Sequence, residues 1–326
     1  MYKPPFEITN NMLNLSLSIS YKIGKMSFYS SLKKMPTLRR NNKIKSIHSS
    51  LLIENNSLSI DQVRDVISGK EVIGPIKEIQ EVKNAFDAYE RIPLFDSYSE
   101  KDLLLAHSIL VKGLNVDAGK YRNHGEGVYD DNSAIFVAPP EKMIPKLMND
   151  LFTWLKEDKD TSLLIKSCVF HYEFVFIHPF TDGNGRLARL WQNVLLYAWN
   201  PIFEYVPIES QIQEYQEEYY KVISSCNKKG NSNDFIEFML KVIDQTLSSL
   251  INQFDGESLS ISDKVNQLLN ILDKDTPISA NEIMKRLNIK SKETLRNTYL
   301  NPAIENGLVK MTLPDKPNSK NQKYYK

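Results

Sequence analysis

The strongest constraint in the chain is a polar loop set between two apolar segments, FHYEFVFIHPFTDGNGRLARLWQNVLL. An apolar helix runs up to Ile177, and Pro179 ends it because proline supplies no backbone donor. A second, amphipathic helix is expected from about Arg186, with Leu187, Leu190, Trp191 and Val194 as its buried face. Two buried helices therefore have to be joined by a turn dense in polar groups.

Each residue of that turn has a chemical reading and a plainer one. Gly183 and Gly185 let backbone amides point into a concave nest beside the positive end of the following helix, which favours a phosphate; the plainer reading is turn geometry alone. Asp182 is placed to help hold Mg²⁺ next to bound phosphates, or simply to cap the next helix. Arg186 and Arg189, three apart, can present planar forks of donors to phosphate oxygens; alone they would read as a solvated face. His178 can take a proton from an attacking hydroxyl near neutral pH, although a single histidine beside an apolar helix is more often structural. Base, carboxylate, nest and two guanidinium groups fall within twelve residues, and together they are the parts that phosphoryl or nucleotidyl transfer needs.

The rest of the chain narrows the setting. The 326 residues suffice for one sizeable core and a smaller second domain. With 41 Lys and Arg against 40 Asp and Glu, the formal charge of +1 argues neither for a general polyanion binder nor for an acidic tail, so any nucleic-acid contact would have to be local. Cys168 and Cys226 lack metal-ligand spacing and fit a reducing compartment. The first residues, MYKPPFEITNNMLNLSLSIS, lack the pattern of a signal peptide, and no apolar run approaches the roughly 20 residues of a membrane span. A cytoplasmic protein with no membrane anchor is expected.

Apolar residues recur at helical spacing in NMLNLSLSISYKIGKM, IKEIQEVKNAFDAYERI, KDLLLAHSILVKGL and MIPKLMNDLFTWLKE, so the chain to about residue 255 reads as mainly α. The exception is YRNHGEGVYDDNSAIFVAPP, where Gly125 and Gly127, an Asp-Asp-Asn-Ser cluster and Phe136-Val137 predict a β-hairpin. Small polar residues around Asp255-Gly256 and 258–262 predict a linker. Beyond it, helices near Leu268, Ile283 and Leu295, then Leu308-Val309 and a polar hairpin, follow the order of a winged helix-turn-helix. From residue 257 there are twelve Lys or Arg against eight Asp or Glu. Ser291 to Arg296 could open a recognition helix that meets DNA; the alternative is a winged helix used for protein contact or dimerisation.

HPFTDGNGRLAR, from His178 to Arg189, resembles the signature of the Fic (filamentation induced by cAMP) family and meets every fixed position of it. The resemblance extends from about residue 3 to residue 241. It implies a protein adenylyltransferase that moves AMP from Mg²⁺-bound ATP onto a Ser, Thr or Tyr hydroxyl of a target protein. By that resemblance His178 is the general base, Phe180 anchors the loop, and Asp182 is the Mg²⁺ ligand. Gly183, Asn184 and Gly185 form the phosphate turn, and Arg186 and Arg189 hold the ATP phosphates.

Upstream, Ser50-Leu51-Leu52-Ile53-Glu54-Asn55 is similar to the family's inhibitory motif. The resemblance implies that Glu54 pairs with Arg189 and occupies the γ-phosphate position, since one guanidinium cannot serve two anions equally well. The hairpin corresponds to the family's flap, which would hold an extended target segment by strand addition. The organisation expected is 1–100 N-terminal helical with an inhibitory helix at about 45–56, 101–255 the Fic domain and 256–326 the winged helix. Family analogy admits a homodimer and removal of AMP by the same site. Two rival readings stay open: a transferase with another nucleotide donor, or a transcriptional regulator acting through the winged helix.

Overall fold

The structure is a computed structural model and describes residues 2–27, 36–130, 133–273, 276–305, 308–317 and 319–326. Backbone contacts divide the chain into two compact units, Met1–Ser248 and Ser249–Lys326. The fold is mainly helical, as the hydrophobic periodicity predicts.

At the centre of the first unit are α7 (Leu163–Ile177) and α8 (Asn184–Trp199), packed against each other. Twelve of the fifteen α7 residues are buried, so the helix is covered on all sides and its polar groups need internal partners. They have them. Lys166 donates to the carbonyl of Leu155 at 3.1 Å, Ser167 to that of Leu164 at 2.7 Å, and Glu173 accepts from the Tyr2 hydroxyl at 2.8 Å. Around this pair lie α5 (Glu100–Leu110), on α8, and α6 (Ile144–Glu157), on α7.

The helix α2 (Pro36–Ile53) packs on α4 (Ile76–Glu90) and α9 (Ile208–Glu214). It is longer at its N-terminus than the 45–56 expected, and it stops one residue before Glu54. Its end is a Schellman cap: Asn55 takes φ 65°, its N–H reaches the Leu52 carbonyl at 3.0 Å, and the Asn56 N–H reaches the Leu51 carbonyl at 3.1 Å. Asparagine tolerates this left-handed position better than most residues.

The predicted hairpin is present as β1 (Gly127–Asp130) antiparallel to β2 (Ser133–Val137), with a register shift between Val128 and Tyr129. Its turn at 131–132 and the side chain of Phe136 lie outside the described residues.

The expected linker at 255–262 is instead part of one continuous helix, α11 (Asn233–Ile271). Serine and glycine cost a helix at most about 1 kcal/mol each. Apolar faces anchor both ends of the stretch, Leu247, Leu250 and Ile251 before it and Val265, Leu268 and Leu272 after it, so the backbone stays helical.

Past α11, the second unit runs through β3 (Ile278–Ser279), α12 (Ala280–Arg286) and α13 (Lys292–Thr294). A π-helical turn (Leu295–Leu300), α14 (Asn301–Glu305), β4 (Lys310–Met311) and β5 (Lys323–Tyr325) complete it. The sheet order is β3-β5-β4, all antiparallel. Val265, Leu268, Ile283, Leu295, Leu300 and Ala303 belong to its core.

One buried group makes a stability prediction. Burial pushes the Glu173 carboxyl up to about 7, against the opposing hydrogen bond from Tyr2. A raised carboxyl pKa means the folded state binds the proton more tightly, so its contribution is full below about 4.5 and is lost as pH rises through about 7. Glu173→Gln should therefore melt higher than the parent at pH 8, by an amount worth about 2 kcal/mol, and show little advantage at pH 5. Thermal denaturation of both proteins at the two pH values checks this.

Candidate functional site

The site is built where α7 gives way to α8. His178 caps α7 in the left-handed region (φ 51°), its N–H still bonded to the Phe174 carbonyl at 3.0 Å. A non-glycine residue holds this conformation only when its surroundings impose it. The buried Arg122 guanidinium does so, with Nε donating to the His178 carbonyl at 2.8 Å and its other nitrogens to the carbonyls of His124 and Pro139, both at 2.7 Å. Because His124 and Pro139 flank the hairpin, one side chain ties the hairpin's base to the loop. Burial lowers the pKa of His178, partly opposed by a hydrogen bond to the Val175 carbonyl, so the imidazole is neutral near pH 7.

Asn184 fixes the loop from inside. Its side-chain oxygen accepts from the Phe180 N–H at 3.0 Å, and its amide donates to the Phe180 carbonyl at 2.6 Å. The Asn184 side chain thus closes the expected phosphate turn on itself. The first intrahelical bond of α8 runs from the Leu187 N–H to the Gly183 carbonyl, so the amides of Asn184, Gly185 and Arg186 precede it and are available to an anion. Asn184→Ala should cost about 2 kcal/mol, because a buried amide and carbonyl of Phe180 lose their partners together; a chemical denaturation midpoint checks it.

Gly183 has φ 84°, and a Cβ there would come within 3.0 Å of Val111. His107 stands behind it. The Gly119 N–H donates to its Nδ1 at 2.9 Å, so Nε2 carries the proton and donates to the Asp182 carbonyl at 3.0 Å. Its ring stacks on Phe180 at 3.6 Å, and burial lowers its pKa, keeping it neutral.

Asp182 is half exposed (46%), while Arg186 beside it is buried. Burial would raise the carboxyl, but Arg186 and the Gly183 amide outweigh it and hold the pKa below the usual range. Arg186 Nη2 donates to both carboxylate oxygens, at 2.9 and 3.0 Å, and Nη1 to Glu81 at 3.2 Å. Among the described residues no group of three His, Cys, Asp or Glu side chains could hold a metal. A single ionised, half-exposed carboxylate still suits Mg²⁺, which keeps most of its ligands as water and phosphate oxygens.

Arg189 is buried to 1% exposure. Its Nε donates to the Ser50 hydroxyl at 3.1 Å, and Nη2 to the Ser50 carbonyl at 2.9 Å and to Glu54 at 2.8 Å. Burial disfavours its charge, but Glu54 and the neighbouring Tyr219 raise the pKa well above the ordinary arginine value. The Glu54 carboxylate lies directly over Gly185: any Cβ at that position would collide with Glu54 Oε1 and stand 3.2 Å from its carboxyl carbon. Glu54, His178, Gly185, Arg189, Tyr220 and Asn227 all line one cavity of about 450 Å³.

Sequence reasoning missed the supports of this site. Asn56, just past Glu54, donates to Glu81 at 2.9 Å, and Glu81 holds Arg186. Behind Ser50, Tyr89 donates to the buried Glu209 at 2.6 Å, which Asn193 also meets. Tyr219 donates to His171 at 2.9 Å. Gln216 and Tyr220 reach the Ile53 carbonyl, the last of α2, at 3.2 and 3.4 Å. His107, Arg122 and Glu81 lie far from the motif in sequence, and nothing in their spacing signals a site.

Comparison with known proteins gives matches along the chain. The Fic/DOC family model matches residues 97–196, and the C-terminal domain of Fic-like proteins matches residues 263–325. A probable protein adenylyltransferase of Aquifex aeolicus is 32% identical over 154 residues, covering 45% of this chain and 45% of that protein. The protein adenylyltransferase Fic of Nematostella vectensis is 28% identical over 217 residues, 63% of this chain and 48% of that one. The chain thus spans about half the length of these two relatives. The crystal structure of a Fic family protein from Desulfovibrio desulfuricans G20 matches 99% of this chain and 98% of that one, with 40% identity and a TM-score of 0.75. Fic-1 of Caenorhabditis elegans shares the fold, with a TM-score of 0.62 at 22% identity over 76% and 72% of the two chains.

Proposed function

The chain belongs to the Fic family, and on that premise we propose that it is a protein adenylyltransferase, moving AMP from ATP to a hydroxyl side chain of a target protein under restraint by its own Glu54. The observation that carries this reading is the single cavity in which His178, Asn184 and Gly185 at the start of α8, Arg189 and Glu54 meet. A base, an anion nest and a guanidinium already occupied by a carboxylate are what an autoinhibited nucleotidyl transferase needs.

In this reading the ATP phosphates lie against the amides of Asn184, Gly185 and Arg186, with Arg189 on the γ-phosphate. Mg²⁺ beside Asp182 would neutralise phosphate charge. His178 accepts the proton of a Ser, Thr or Tyr hydroxyl as its oxygen bonds to the α-phosphorus; the bond to the β-phosphate oxygen breaks and pyrophosphate leaves with its electron pair. Arg122 holds His178 at the height of the hairpin base, where strand pairing would present the target segment. Family analogy extends the proposal to a homodimer and to removal of AMP at the same site. No helix among the described residues is long and apolar enough to cross a membrane; action on other proteins in the cytoplasm is part of the proposal.

The test uses Mg²⁺ and ATP labelled at either the α- or the γ-phosphate, with the protein acting on itself and on cell extract. Label should become covalently attached from the α-position only. Retention of γ-label would make the enzyme a kinase, and uptake from labelled UTP in preference to ATP would change the donor.

A further inference from the structure

The chain's charge is segregated, and the segregation coincides with one surface. From residue 290 onward there are eight Lys or Arg against three Asp or Glu; with 41 against 40 in the whole chain, the first 289 residues carry 33 against 37. A region of net +5 thus follows one of net −4. Such asymmetry between parts of a chain is a pointer to a polyanionic partner.

The second unit shows where these cations stand. The run from α13 through the π-turn to α14 buries Leu295, Tyr299, Leu300 and Ala303, and exposes Lys292, Glu293, Thr294, Arg296, Asn297 and Asn301. The π-turn, whose widened spacing is read from the Asn301 N–H bonding back to the Arg296 carbonyl, keeps two successive turns of polar side chains on the outer side. Across from it, the loop joining β4 and β5 is folded by backbone bonds from Lys316 to Leu313 and from Gln322 to Ser319. It holds Lys316 and Lys320 exposed, with Lys310 and Lys323 on the strands. Among the described residues none of Lys290, Lys292, Arg296, Lys310, Lys316, Lys320 and Lys323 makes an ion pair, whereas Arg286 on α12 pairs with Glu282 at 3.2 Å. A cleft of about 120 Å³, lined by Arg296, Asn301, Met311 and Pro317, separates the helical run from the strand loop.

We propose that this surface binds duplex DNA, with the 292–301 face in the major groove and the lysines of the β4–β5 loop on the flanking phosphates. The groove-facing set is chemically apt: Arg296 can address guanine, and Asn297 and Asn301 can address adenine, each through paired hydrogen bonds. A protein partner fits less well, because protein interfaces concentrate apolar and aromatic groups at their centre. The outward side chains of the helical run are all polar, and the large exposed apolar groups described in this unit are Leu308 and Leu313, on the strand side. The inference is independent of the transferase reading, since none of its residues lies in that cavity.

The experiment is fluorescence anisotropy of the full chain with labelled random-sequence duplex DNA, from about 50 to about 200 mM salt. The parent should bind in the micromolar range at low salt, with an affinity that falls steeply as salt rises. The Lys292→Glu/Arg296→Glu pair and the Lys316→Glu/Lys320→Glu pair should each weaken binding at least tenfold and flatten the salt dependence by about one unit per contact removed. Both should keep the parent's melting temperature and its AMP transfer. Absence of binding by the parent at about 50 mM salt and tens of micromolar protein would overturn the proposal. So would binding that neither pair disturbs. Equal competition by duplex RNA would also overturn it, because the deep, narrow major groove of RNA does not admit this helix.

Discussion

Replacement of Glu54 by glycine should raise the initial rate of AMP incorporation by one to two orders of magnitude. Arg189 is buried, always charged, and gives its best donor to Glu54 at 2.8 Å. A charge-assisted contact of this kind is worth about 1.5–3 kcal/mol, and each 1.4 kcal/mol is a factor of ten. In the proposed pose the incoming γ-phosphate has to displace it, and has to do so in space the carboxylate already fills over Gly185. Removing the side chain ends both the competition and the overlap. The fold should survive, because Glu54 is about a third exposed and Arg189 keeps the hydroxyl and carbonyl of Ser50 as acceptors. Glu54→Gln should give a smaller rise, since the amide still occupies the space without the charge. Label uptake from α-labelled ATP over the first minutes measures all three, and rates equal to the parent's would remove Glu54 from the role of brake.

The parts of this protein that were legible in its sequence share one property: their meaning is local. The loop at 178–189 could be read because its groups are consecutive and chain geometry alone forces them together. The helices could be read from periodicity, and the hairpin from its break in that rhythm. The Glu54 turn was legible as a resemblance, and the structure supplies a physical reason for the asparagine after it, the left-handed Schellman position at φ 65°.

What stayed hidden depends on long-range packing or on context overriding propensity. His107 reads as one more residue of an apolar helix, yet it reaches across 75 positions to hold the Asp182 carbonyl. Arg122 reads as a loop cation, yet it is buried on carbonyls of residues 139 and 178. Asn184 reads as part of the phosphate turn, and what its side chain does there, latching the loop onto Phe180, shows only in the fold. The small polar stretch at 255–262 reads as a linker and is helical because its flanks are anchored. In each case the residue type was informative only once its partner was known.

In the Glu54→Gly background, His178→Ala should reduce transfer by about two to four orders of magnitude, the range that a positioned general base contributes. The alternative for this residue is structural, and the geometry separates the two. The conformation of position 178 is imposed through its backbone, by Arg122 on the carbonyl and by the N–H bond to Phe174, so loss of the ring leaves those contacts in place. Melting temperature should shift little while rate collapses. The pH profile carries the rest of the argument. Burial lowers the His178 pKa below its ordinary value of 6.5, so the neutral, proton-accepting form is already dominant at pH 7. Transfer should therefore rise with an acid limb below 6.5 and be flat through neutrality. Glu54 is among the charges that raise this pKa, so its removal moves the limb further toward acid. A rate that survives His178→Ala, or an acid limb that persists unchanged without the imidazole, would assign the proton to another group.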